Sequence, residues 1–234
     1  MPELPRYPCH RTTTPLPLDG SLTHPAWEQA PWTSDFVDIA GPDATTPRFR
    51  TRAKLLYDDQ YLYVGGQLEE PHVWSTMTEP NTWLYEENNF ELFLDPDGDG
   101  QNYYEFEINP LGTIWELSLP KPYSEGGVPV DPDNLPGLRT AVRINGTLND
   151  PADTDSGWTV EAAFPWADLA KYNLNRTPPA AGDEWRMNLM RIEWDHEVVD
   201  GDYRKGKQQD FWVWSPQYVL DMHKPDQWGV LRFE

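Results

Sequence analysis

The sequence predicts an all-β protein: a two-sheet antiparallel β-sandwich, jelly-roll or immunoglobulin-like, of about ten strands with one or two short helices. Two observations lead there. Apolar residues recur with period two in short runs, and these runs are separated by clusters of Pro, Gly, Asn and Asp, drawn from 24 Pro and 16 Gly in 234 residues. Long apolar stripes of helical period are missing, which argues against βαβ units. A sandwich can reach about 250 residues as one unit, and the chain has no repeat, linker or low-complexity tract, so a single domain over 1–234 is the simplest account.

The elements follow in order. A short helix falls on 24–30, where Pro25 suits a first turn. Strands at 51–57 and 61–68 are joined by Asp58-Asp59-Gln60 as a hairpin. Strands at 89–94 and 102–109 flank an acidic turn, and 112–119 and 138–144 come next. The strand at 158–164 runs into a second helical turn at 165–170, and 185–194, 211–214 and 228–233 complete the set. The stretches 120–137, 145–157 and 173–184 read as loops.

Charge narrows the partners. With 39 Asp and Glu against 18 Lys and Arg, the net charge is −21. Nucleic acid and anionic membrane surfaces need clustered basic residues, so the expected partners are neutral molecules or cations, and self-repulsion favours a monomer. One cysteine, Cys9, rules out an internal disulfide framework and multi-cysteine metal sites. The start of the chain has no apolar signal-like stretch, and no apolar run is long enough to span a membrane as a helix. The compartment stays open between cytoplasm and the extracellular or periplasmic space.

The sharpest local signal is Asp95-Pro96-Asp97-Gly98-Asp99-Gly100 between two strands. Carboxylates of Asp95, Asp97 and Asp99 at alternating positions suit calcium, a hard cation. The twelfth position, where a calcium loop between helices carries Glu, is Phe106. Two readings therefore stand: a calcium site, or a hairpin turn in which Asp and Gly meet backbone demands.

Alternation gives the strand after that turn two faces. Tyr104, Phe106 and Ile108 point into the core, while Tyr103, Glu105, Glu107 and Asn109 line the other side. On the neighbouring strand Phe90, Leu92 and Leu94 form the core row and leave Asn89 and Glu91 opposite. Acids and amides thus gather on one open sheet surface, close to Trp83, Tyr85 and Trp115. Aromatic planes beside amides and carboxylates suit a sugar, whose C–H face stacks on a ring while its hydroxyls bond Asn, Glu or Arg. Of the 12 tryptophans, Trp27, Trp158, Trp166, Trp185 and Trp228 are assigned to the core. Trp83, Trp115, Trp212 and Trp214 are candidate platforms.

Glu105 and Glu107 share a strand face about 6.5–7 Å apart, which overlaps the carboxyl separations of glycosidases. A glycan-active enzyme using Glu105, Glu107 or Glu193 with His223 is the rival reading. The five histidines show no metal-ligand spacing. Asn145-Gly-Thr147 and Asn175-Arg-Thr177 match the glycosylation pattern, which matters only in a eukaryotic secretory setting.

Several stretches together resemble the family 9 carbohydrate-binding modules and their DOMON-like relatives. They are Leu18-Asp19-Gly20 with Pro25-Ala26-Trp27, Asp58-Asp59 before Tyr61-Leu62-Tyr63-Val64, Asn89 to Asp95 followed by Tyr104 to Asn109, and Gly157-Trp158-Thr159-Val160-Glu161 with Pro165. Trp185-Arg186-Met187-Asn188 with Arg191, and Trp228-Gly229-Val230, extend the likeness over nearly the whole chain. The resemblance implies a β-sandwich with structural calcium and a non-catalytic role in binding a mono- or oligosaccharide or a glycan chain end, in association with polysaccharide breakdown. It maps the platform and polar contacts onto Trp83, Glu86 and Asn109, and the second half of a tryptophan clamp onto Trp212 or Trp214. Tyr85, Glu107, Trp115 and Arg191 join the candidate ligand contacts. The family pattern has an Arg two residues before the amide, where this chain has Glu107. Relatives that hold haem use Met and His, and Met77 and His72 are the residues here that could serve a haem-binding electron carrier.

Overall fold

Twelve strands form among the residues that the computed structural model describes, 3–172 and 176–234. They are β1 (Arg6–Arg11), β2 (Val37–Asp38), β3 (Thr51–Tyr57), β4 (Tyr61–Leu68), β5 (Asn89–Asp95), β6 (Tyr103–Ile108), β7 (Ile114–Leu119), β8 (Arg139–Asn145), β9 (Gly157–Pro165), β10 (Glu184–Val199), β11 (Asp202–Val213) and β12 (Gly229–Phe233). Both helical hints are real but short: a 3-10 helix at Pro25–Gln29 and the four-residue helix α1 at Trp166–Leu169. Asn175 of the second glycosylation triplet lies outside the described residues. Among those residues no helix is long and apolar enough to cross a membrane.

The strands follow the order β7-β6-β5-β10-β12-β1-β3-β4-β9-β8, with β11 on β10 and β2 on β11. The fold is the all-β sandwich expected, with one departure from antiparallel pairing. Residues 6–9 of β1 pair in parallel with 230–233 of β12, and His10 and Arg11 pair in parallel with Leu56 and Tyr57 of β3. A hairpin connection dictates antiparallel neighbours, whereas β1 meets both partners across long connections that leave direction free. It thereby passes from one sheet to the other. Sequence reading missed it because Arg-Tyr-Pro-Cys-His-Arg carries a proline and little alternation. The polar β11 was read only at its apolar end.

Inward rows from both sheets interdigitate in one large core that includes Leu55, Val64, Phe90, Leu92, Phe106, Ile108, Val160 and Trp158. The five tryptophans assigned to the core, Trp27, Trp158, Trp166, Trp185 and Trp228, are all buried. Close approach requires a glycine in β4: a Cβ on Gly66 would sit 2.9 Å from Val160 and 3.1 Å from the Phe90 ring. A smaller cluster under residues 16–30 is held by the buried Glu161 of β9. Its carboxylate accepts from the backbone of Asp19, Gly20 and Leu22 and from Trp27 Nε1 at 2.7 Å.

A buried cation joins the sheets. The guanidinium of Arg191 on β10 donates to Glu193 at 2.7 and 3.0 Å, to Glu70 at 2.6 Å, to the Glu69 carbonyl at 2.8 Å and to Thr51 Oγ1 of β3 at 3.1 Å. It also lies 5.0 Å from the Trp212 ring centroid. Burial pushes the Glu193 carboxyl up, Arg191 opposes that shift, and repulsion from Glu70 adds to it. Removing the guanidinium leaves two buried acids facing each other. Arg191→Met is therefore expected to cost about 3–5 kcal/mol, roughly 6–20 °C in melting temperature. A shift of less than about 2 °C in a thermal melt would contradict this role.

Candidate functional site

The face of β5 and β6 turned away from the main core is not open to solvent as the alternation suggested. Ladder register sets Glu91 of β5 opposite Glu107 of β6, and Phe93 opposite Glu105, while Trp115 and Leu117 of β7 pair with Glu107 and Glu105. On the other flank Met190 of β10 pairs with Glu91. This face carries a second apolar cluster of Phe93, Tyr103, Trp115, Leu117, Met190 and Ile192, closed over by Ile39, Leu84, Met222 and Trp228. What stays accessible is a cavity of about 420 Å³. Its polar lining is Glu91, Glu105, Glu107, Gln209, Asp221 and His223, and its aromatic lining is Tyr85, Trp115, Tyr123, Phe93 and Phe211. Glu105, Glu107 and His223, proposed from sequence, thus meet in one place. Tyr123 comes from the stretch 120–137, read only as a loop, and Leu220 from a stretch assigned to no element, so both were missed; a tyrosine in a Pro-rich stretch carries no periodic signal.

The mouth of the cavity is built by one 3-10 turn at Leu84–Glu86. Leu84 is fully buried, and this anchor turns its neighbours outward: Trp83 is 61% exposed and Tyr85 36%. The two rings lie nearly parallel, with centroids 6.3 Å apart and 19° between planes, and Tyr85 meets Trp115 at 5.8 Å. The β10–β11 hairpin steadies the turn from the side. Trp194 Nε1 and Gln209 Nε2 donate to the Tyr85 carbonyl at 3.1 and 3.2 Å, and Lys205 ion-pairs with Glu86 while its ammonium lies 3.7 Å from the Trp194 ring centroid. Trp115 is inside, its Nε1 donating to Asp131 at 2.8 Å.

Other predicted residues lie elsewhere. Asn109 is fully buried and organises the β6–β7 turn: its amide donates to the Met77 carbonyl and Glu87, and its oxygen accepts from Leu111 and Thr113. Glu87 in turn pins residues 75–77. Arg191 and Glu193 form the ion cluster between the sheets, so neither reaches the cavity. Trp212 and Trp214 are 1% and 4% exposed and belong to the main core. Trp214 packs so closely on β12 that a Cβ at Gly229 would lie 2.4 Å from its ring. His72 bonds Tyr203 at 2.9 Å beside His196, while Met77 packs against the second cluster, so the pair weighed for haem sits in two separate surroundings. Asp95, Asp97 and Asp99 do converge, with a carboxylate oxygen of each within 4.8 Å of the others, and Asp95 also accepts from Gly98 and Gly100.

Electrostatics on the cavity floor are extreme. Glu91, Glu105 and Glu107 are 1%, 5% and 1% exposed, and one oxygen of each lies within 4.8 Å of the others. Asn89 donates to Glu91 at 2.9 Å and to Glu107 at 2.7 Å. Burial pushes all three carboxyls up, and for Glu105 and Glu107 the neighbouring acids add to it. Beside them His223, bonded through Nδ1 to the Tyr103 hydroxyl at 3.0 Å, is pulled down by burial to about 4. It is neutral at pH 7.

These shifts have opposite signs in stability. Raised carboxyls stabilise the fold below the ordinary carboxylate range and lose that contribution as pH rises through their folded values. His223, depressed, contributes fully above about pH 6.5 and loses it as pH falls toward 4. The stability difference between wild type and His223→Gln isolates the second effect. Denaturant melts should show wild type losing up to about 3 kcal/mol relative to the variant between pH 7 and 4. A constant difference would mean that the ring is solvated.

The comparisons with known proteins agree with this architecture. Exoglucanase XynX of Acetivibrio thermocellus is 26% identical over 160 residues, covering 68% of this chain, which spans only 12% of that enzyme's length. A putative carbohydrate-binding protein from Bacteroides uniformis superposes with a TM-score of 0.71 at 15% identity, covering 99% of this chain and 100% of the other. A carbohydrate binding module family 9 from Caldicellulosiruptor kristjanssonii, solved in complex with cellotriose, superposes at 0.64 with 16% identity, covering 98% and 94%. A glucose complex of a module of the same family and source gives the same score and identity. The profile of the family described as carbohydrate family 9 binding domain-like matches residues 18–234, nearly the entire cavity-bearing sandwich, and the chain belongs to that family.

Proposed function

We propose that this protein binds a neutral mono- or oligosaccharide, or the end of a glycan chain, at the mouth of the cavity. The observation that carries the reading is Trp83, 61% exposed and stacked on Tyr85, which lines the cavity. A large ring held out in water by a buried neighbour costs apolar hydration and repays it only when something covers it. A pyranose does so with its C–H face, and Glu86, Gln209 and the acids within supply acceptors and donors for hydroxyls. A volume of about 420 Å³ admits one or two sugar units. Family membership, and the sugars bound by the structural neighbours, support the same class of ligand. Asn109, Arg191, Trp212 and Trp214 serve this site from behind, by fixing the strands and turns that present it. A role beside polysaccharide breakdown accords with the xylan- and glucan-degrading relatives. One stacked indole and a few hydrogen bonds near 1 kcal/mol each give micromolar to millimolar affinity.

In the same reading Asp95, Asp97 and Asp99 hold a structural calcium that staples the β5–β6 hairpin, for which three converging hard-oxygen donors are the support.

Two measurements check this. Calorimetry with glucose, cello- and xylo-oligosaccharides is expected to give saturable heat, weakened at least about tenfold, or 1.4 kcal/mol, by Trp83→Ala with the melting temperature within about 2 °C of wild type. Absence of heat with every sugar would defeat the proposal. For the turn, calcium should raise the melting temperature of chelator-treated protein, and Asp97→Asn should reduce that rise.

A further inference from the structure

The floor of the cavity gathers more acidic oxygens than the protein itself partners. Three carboxylates, Glu91, Glu105 and Glu107, meet there, each at least nine-tenths buried. Among the described residues no Lys or Arg ion-pairs with any of them; Lys205 is engaged by Glu86, and Arg191 by Glu70 and Glu193. The basic side chain nearest by is His223, whose Nε2 is 4.0 Å from Glu105 Oε2, beyond hydrogen-bond reach. Further acids stand around the cluster: Asp221 lines the same cavity, and Asp131 acts on Glu105 through space.

Hydrogen bonding does not close the account. Asn89 satisfies one oxygen of Glu91 and one of Glu107, and a hydrogen bond joins Glu105 to Glu107. Glu91 Oε2 and Glu105 Oε2 remain buried with no partner, although both belong to residues aimed into the same cluster. A buried polar atom left unpaired costs about 1–3 kcal/mol, more when charged, so two of them beside each other mark a missing partner. That partner must accept lone pairs from several oxygens at once and carry positive charge. A sugar hydroxyl offers one proton to one oxygen, whereas a cation takes lone pairs from all three residues at once.

We infer that Glu91, Glu105 and Glu107 form a binding site for a hard divalent cation of the calcium, magnesium or manganese class, seated at the floor of the cavity and separate from the acidic β5–β6 turn. Three carboxylates supply the charge, Asn89 orients two of them from behind, and the cavity leaves the ion's remaining positions to water. Oxygen-only donors exclude the softer metals as preferred occupants. Residues on two adjacent strands fix the spacing, since Glu91 and Glu107 are ladder partners and Glu105 is two residues along.

The test uses the full chain with Asp97→Asn and Asp99→Asn, which removes the turn as a competing site. After chelator treatment, CaCl₂, MgCl₂ and MnCl₂ are titrated calorimetrically, with no sugar present. At least one is expected to bind saturably near one ion per chain, and adding Glu105→Gln is expected to weaken that binding at least tenfold. Terbium bound there should also show luminescence excited through nearby tryptophan and tyrosine, lost with the same substitution. Glu105→Gln keeps shape and removes a buried charge, so it should fold; Glu91→Gln serves as the second variant and is expected to weaken binding likewise. Absence of saturable binding by all three cations would overturn the inference. Binding that both substitutions leave unchanged would overturn it as well.

Discussion

Everything that positions the cavity depends on the seating of β10, and β10 is seated by the buried guanidinium of Arg191. One face of that strand faces the main core and the other the cavity, so a one-residue slip would exchange Met190 and Ile192 for Arg191 on the cavity wall. Bonds from Arg191 to Thr51, Glu69 and Glu70 tie the strand to the opposite sheet at a single register. The same strand pairs with β5, which carries Glu91, and continues into the hairpin with β11 that braces the aromatic turn at Tyr85. An ion cluster on the core side therefore controls the spacing of the acids on the other.

The chain keeps two kinds of polar residue under its surface for different ends. Glu161 and Glu87 are buried acids fully occupied by backbone and side-chain donors, and they act as local spacers for loops that have little apolar surface of their own. Glu91 and Glu105 are buried acids with oxygens left over. The contrast lies in the partners: the first pair answers to donors of its own chain, the second lines a cavity that admits a molecule from outside.

Much of the sandwich was legible in the sequence. The hairpin at 51–57 and 61–68 was read to the residue because two runs rich in apolar and β-branched or aromatic residues flank the turn-forming Asp58-Asp59-Gln60. Alternation also placed Glu105 and Glu107 together, opposite Tyr104, Phe106 and Ile108. It did not show that the face would be roofed, since covering residues such as Ile39, Leu84 and Met222 come from distant stretches outside the predicted strands. Trp212 and Trp214 were undecidable for a related reason. The sequence puts them two residues apart on one strand face, but β11 ends at Val213, and the approach of Arg191 to Trp212 and of Gly229 to Trp214 buries both. Trp83 and Tyr85 could be proposed as a platform, but their exposure follows from Leu84 between them, whose burial is a tertiary fact.

The parallel strand β1 has a consequence for how the molecule comes into being. Its partner in one sheet, β12, is made about 220 residues after it, while its partner in the other, β3, follows within about 50. On the ribosome, β1 can form only its two-residue pairing with β3 until residues 229–233 emerge, and its bridge between the sheets closes after that. Assembly is thus dominated by contacts far apart in sequence, which slows folding and leaves a nascent chain with an unpaired β-edge until β12 is made. A net charge of −21 keeps such chains apart while they wait.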